Sequence, residues 1–88
     1  MSLFPTPQQP ARHAAEQITP TGAMGGPSWR YRGSIIHSNE RGTLFTLAEP
    51  PAGLPGNWSG IGNRREIERV LDAWLDTGRL PAPYVGMG

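Results

Sequence analysis

Between Asn63 and Gly78 the apolar side chains fall at Ile67, Val70, Leu71, Trp74 and Leu75. This is the i, i+3, i+4, i+7, i+8 spacing of a helix with one buried face. Asn63 is placed to cap the start, Glu66 completes a capping box, and Gly78 suits a left-handed stop. The charges run against the helix dipole, which favours acids first and bases last. Arg64 and Arg65 occupy the first turn, whereas Asp72 and Asp76 come late.

Upstream the period shortens to two. Trp29, Tyr31, Ile35 and His37 share one parity, and Arg30, Arg32, Ser34 and Ile36 the other. The alternation predicts a strand over 29–37, with Gly33 marking a bulge or a close backbone approach. Residues 38–42 read as a turn, and the β-rich stretch 43–48 as a second strand. Pro50, Pro51, Gly53, Pro55 and Gly56 impose a loop. Residues 57–61 leave room for a short third strand before the helix. The expected fold is α+β: a three-stranded antiparallel sheet packed on one C-terminal helix (β-β-β-α). Trp58, Trp74, Phe45 and Leu47 are its candidate core, with Trp29 or Tyr31 closing an edge.

The Pro and Gly residues bound this domain. Prolines at 5, 7, 10, 20 and 27 and glycines at 22, 25 and 26 predict a flexible arm over 1–27, with a short helical piece at 10–18 as its one element. Such an arm is expected to be dispensable for folding as far as residue 20. Pro81 and Pro83 predict an extended tail over 81–88. The domain is left with residues 28–80, near the lower size for independent folding at roughly 50 residues.

The net charge of +1 gives no argument for nonspecific binding to nucleic acid or membranes. All eight basic residues are Arg. With abundant Gly, Pro and Ala, this points to GC-rich coding, as in a GC-rich bacterium or a phage or plasmid living in one. The absence of cysteine excludes disulfides, thiolate chemistry and cysteine-based zinc sites. No apolar run reaches membrane-spanning length, and the N-terminal residues lack a secretory pattern, so a cytoplasmic location is expected.

Few residues offer chemistry. His37 and Glu40 flank a turn, but no nucleophile or third group is placed beside them. His13 and Glu16 share one face of a possible helix turn, but two widely separated histidines and no cysteine argue against a zinc site. The expectation is no enzyme, no metal and no cofactor. The strongest candidate site is Gly60-Ile61-Gly62-Asn63-Arg64-Arg65. A glycine-rich approach to a helix N-terminus with two arginines suits a phosphate or a partner's carboxylate. Arg30 and Arg32 alternate along the first strand and form a candidate stripe with Arg41.

The order Tyr31-Arg32-Gly33, a β segment, Trp58-Ser59-Gly60 and a helix bearing Glu66 and Asp72 resembles the three-stranded-sheet-plus-helix DNA-binding domains. These include the plant ethylene-response type and the arm-binding domain of tyrosine-type phage integrases. The resemblance implies a sheet lying in the major groove, with Arg30, Arg32 and Trp58 contacting DNA. The competing expectation is a small accessory protein of a mobile element that binds a protein partner as an inhibitor or adaptor. Its aromatic and apolar supply exceeds the needs of one thin core. With a net charge near zero, a protein partner is the favoured expectation and DNA the alternative. The disposition of the arginines discriminates them: convergence of Arg30, Arg32, Arg41 and Arg64 on one open face favours DNA, and pairing with Glu40, Glu49, Glu68 or Asp72 favours protein.

Overall fold

In the computed structural model, which describes residues 13–86, the stretch predicted as one strand is a tight hairpin. β2 (Gly25–Tyr31) and β3 (Ser34–Asn39) are joined by Arg32 and Gly33 alone. Both have positive φ, 49° and 88°, as the two-residue turns that match strand twist require. Gly33 is thus a turn residue and not a bulge. The register sets Tyr31 opposite Ser34, Arg30 opposite Ile35 and Trp29 opposite Ile36. Ile36 therefore joins Trp29 and Tyr31 on one face, and Ile35 and His37 move to the face of Arg30.

The antiparallel sheet has four strands, not three, in chain order: β1 (Glu16–Thr19), β2, β3 and β4 (Phe45–Leu47). β1 and the start of β2 fall within the stretch predicted as arm. Residues 1–12 of the expected arm, with the start of its helical piece, lie outside the described residues; of that piece, 13–15 are irregular and 16–18 belong to β1. Glu16 pairs with Arg30 and Gln17 with Trp29. The physical reason is that a helix this short is unstable alone, whereas the edge of β2 offers a ladder of hydrogen bonds. Gly26 makes the close approach that the sheet requires, since a Cβ there would overlap the backbone of Asn39. The expected third strand shrinks to an Ile61–Phe45 bridge and one bond from Leu47 N to Trp58 O (2.8 Å). Gly60, with φ of 68°, turns the chain between them.

The helix α1 (Arg64–Thr77) follows the predicted limits. The side chain of Asn63 accepts from Arg65 N at 2.8 Å, and Gly78 closes the helix in the left-handed conformation. Ile67, Val70 and Leu71 are fully buried against Tyr31, Ile36, Leu47, Trp58 and Leu80. Trp74 and Leu75 belong less to this core than their spacing predicts. Trp74 is half-buried and Leu75 is 40% exposed, because the buried stripe is narrower than five residues. Residues 87–88 of the expected tail lie outside the described residues, and 81–86 are not extended. Leu80 enters the core, and a 3-10 turn spans Tyr84–Gly86. Tyr84 packs edge-on against Trp58 at 4.9 Å and donates to Glu66 Oε2 at 2.7 Å. Among the described residues no helix is long and apolar enough to cross a membrane.

Candidate functional site

The end of the sheet beyond the helix N-terminus forms a groove of about 450 Å³. Its apolar walls are Pro27 and Trp29 of β2 and Phe45 of β4. Its polar rim comes from two loops: Glu40, Arg41 and Gly42 on one side, and Gly62, Asn63, Arg64 and Arg65 on the other. The local sequence explains both loops. Asn39 Oδ1 accepts from Thr43 N (2.9 Å) and Leu44 N (3.1 Å), and Gly42 N donates to Asn39 O (3.1 Å). These bonds tie the β3–β4 loop at its base and leave Arg41 exposed at its tip. On the other side, the bonds Phe45 N to Ile61 O (2.7 Å) and Ile61 N to Phe45 O (3.0 Å) dock the approach to α1 on β4. The first helical turn then begins beside Phe45.

Arg64 links the two walls. Its guanidinium lies 4.0 Å from the centroid of the Trp29 ring, the distance of a cation–π contact. Its Nε also sits 2.7 Å from Glu68 Oε2, an ionic contact whose angle falls outside hydrogen-bond geometry. The indole N–H of Trp29 is shielded from solvent and has no acceptor among the described residues. Arg41 and Arg65 form no ion pair among the described residues and are exposed.

Four of the eight predicted site residues meet here: Arg41, Gly62, Arg64 and Arg65. The other four do not. Arg30 lies on the opposite face of the sheet and reaches Glu16 across the strands at 3.5 Å. Arg32 sits in the β2–β3 turn, held by Asp72 and Asp76 at 2.9 Å each. Trp58 is a core residue, 6% exposed, whose indole N–H donates to Pro55 O at 2.8 Å. Gly60 lies in the loop before the groove. The Arg30–Arg32–Arg41 stripe is therefore not formed, because the turn at Arg32 reverses the chain. Trp29, Phe45 and Pro27 were missing from the predicted site. Their shared position becomes visible only when the hairpin register is known.

The late acids of α1 also find their use. Asp72 accepts from Tyr31 Oη at 2.9 Å on each oxygen and from Arg32 Nη1 at 2.9 Å. Burial first, then the bond to the Asp72 carboxylate, hold the Tyr31 hydroxyl well above its usual ionisation range. Glu66 turns to Arg69 and Tyr84, not to the helix start. Bonds from Arg69 foremost, then Tyr84, hold its carboxyl below the ordinary value.

His37 and Glu40 are not brought into a pair. His37 Nδ1 is engaged by Ser28 Oγ at 2.6 Å, whereas Glu40 belongs to the groove rim. Among the described residues no cluster of three His, Cys, Asp or Glu side chains could hold a metal ion. Comparison with known proteins finds no matching family model, curated protein or solved structure.

Proposed function

We propose that this chain is a small non-enzymatic binding module that acts on a protein partner, as an inhibitor or adaptor encoded by a bacterium, phage or plasmid and working in the cytoplasm. The observation that carries the reading is the pairing of the arginines. Arg30, Arg32, Arg64 and Arg69 each contact an acid of the same chain. The surface is accordingly mixed in sign, and duplex DNA, whose affinity comes mainly from neutralised phosphates, finds no basic stripe on the sheet. A mixed surface with an aromatic-walled groove suits a protein interface, where aromatic and Arg side chains supply most of the binding energy.

The test is an amide NMR titration of the full chain with a short DNA duplex at low and moderate salt. It is paired with affinity capture from a nuclease-treated GC-rich bacterial lysate, followed by reconstitution with the purified captured protein. A reconstituted complex with one protein, and amide signals indifferent to DNA, is the expected result. Salt-dependent shifts across Arg30, Arg32 and Trp58 would overturn the reading in favour of a DNA-reading sheet. The salt slope would then count the phosphates neutralised.

A further inference from the structure

We infer that the groove between the β3–β4 loop and the start of α1 receives an acidic peptide segment of the partner, with an aliphatic or aromatic side chain seated between Trp29 and Phe45 and flanking carboxylates held by Arg41 and Arg65. The inference rests on the protein-binding reading and specifies its chemistry.

Three features of the groove point to that occupant. The first is charge. Arg41, Arg64 and Arg65 line it against the single acid Glu40. Arg64 is neutralised by Glu68, so Arg41 and Arg65 remain as cations without an ionic partner among the described residues. A planar guanidinium is matched by a carboxylate through two parallel hydrogen bonds. The second is the wall. Pro27, Trp29 and Phe45 give an apolar surface in a space of about 450 Å³, within the range of sites that enclose a small ligand or a few side chains. The third is the Trp29 indole N–H, a buried donor with no acceptor among the described residues. Buried donors are normally satisfied, and a peptide carbonyl entering as Arg64 shifts would supply the acceptor.

The other occupants fit less well. Residues 1–12 contain no acid and carry Arg12, so the chain's own N-terminus does not complement Arg41 and Arg65. Single-stranded nucleic acid needs a cationic track for its backbone as well as a stacking surface, and this groove has two available cations at one point.

The test is a selection of random decapeptides on the immobilised full chain. Synthesised winners are then measured by fluorescence anisotropy and by 15N NMR. The expected winners pair Asp or Glu with Leu, Ile, Phe or Trp. They should shift the Trp29 indole and the Gly42 and Arg65 amides, and lose at least about tenfold in affinity on R41E or R65E. Replacing the peptide's acids by Asn and Gln should lose a similar factor. The inference is overturned if no peptide is enriched, if winners lack acids, if shifts map elsewhere, or if R41E and R65E bind as wild type. It is also overturned if oligo-dT competes for the same amides more tightly than any peptide. A reconstituted protein complex indifferent to R41E and R65E would remove this inference and leave the protein-binding reading standing. Absence of any protein partner together with DNA binding would remove both.

Discussion

Asp72 fastens the β2–β3 turn to the helix, and its loss should be felt throughout the domain. The Tyr31 hydroxyl that it accepts belongs to a side chain only 3% exposed. Asp72→Ala leaves that hydroxyl buried without an acceptor, which costs about 1–3 kcal/mol. The ion pair to Arg32 is partly exposed and adds no more than about 1 kcal/mol, because Arg32 keeps Asp76 at 2.9 Å. Arg32 also holds a left-handed backbone, with φ of 49°. That conformation disfavours a side chain by roughly 1–2 kcal/mol, so weakening its anchors leaves part of this cost uncompensated. The expected total is about 1–4 kcal/mol, or ~4–32 °C in Tm for a domain of this size. Tyr31→Phe removes the donor together with its need and should cost only about 0.5–1.5 kcal/mol. The double variant should then cost less than the sum of the singles, since each removes the same bond. Urea unfolding of the four proteins, with m-values checked for constancy, measures the cycle. A loss below about 0.5 kcal/mol for Asp72→Ala, or strict additivity in the double variant, would refute the account of Asp72 as a turn-to-helix clamp.

Alkali and acid should act on different clamps. The ionisation of Tyr31 is raised in the folded state, so its contribution is complete below the unfolded value of 10.0 and is lost as pH rises beyond it. Tyr31→Phe should flatten the alkaline limb of a Tm-against-pH curve, and an unchanged limb would contradict this. Glu66 is lowered in the folded state, so its contribution is complete above 4.5 and is lost as pH falls through the lower folded value. Glu66→Gln should flatten the acid limb, as followed by circular dichroism. In the core, Leu71→Ala should cost about 2–5 kcal/mol, whereas the exposed Leu75→Ala should stay within about 1 kcal/mol, by chemical denaturation. Deletion of residues 1–20 removes β1 and bares the edge of β2, so a clear fall in Tm is expected where the arm composition alone implied none.

The helix was legible because all its signals agree locally: apolar spacing, Asn63 at the start and Gly78 at the end. The sheet was legible as a class but not in its pairing. Tyr31-Arg32-Gly33-Ser34 carries neither Asn-Gly nor Asp-Gly, the usual mark of a two-residue turn. Arg32 takes the left-handed position because Asp72 and Asp76, 40 and 44 residues on, hold its side chain, and no local pattern announces that. β1 was hidden for a related reason: Glu16–Thr19 is a weak strand by composition, and its order comes from the edge of β2. The same register decides the site. Arg41, Gly62, Arg64 and Arg65 could be named from charge and from the glycines before the helix. Their apolar complement, Trp29 and Phe45, required knowing which face of the hairpin meets α1.

The reversed charges of α1 connect stability to the proposed interface. A helix optimised alone would place acids where Arg64 and Arg65 stand. Three of the four departures have a tertiary counterpart: Asp72 and Asp76 secure Arg32, and Arg64 covers Trp29, whereas Arg65 is left at the groove rim. Arg65 is the member of this set with no internal ionic partner among the described residues, so its retention costs the fold without visible structural return. Rules broken locally without a structural gain tend to coincide with functional positions. Arg65→Glu should therefore leave Tm unchanged or raise stability by about 0.3–1 kcal/mol through the helix dipole, while the acidic peptides lose their hold on the groove. Thermal melting and anisotropy on the same preparation read both effects. If Arg65→Glu instead destabilises the domain, Arg65 serves the fold, and the division between its structural and binding arginines fails.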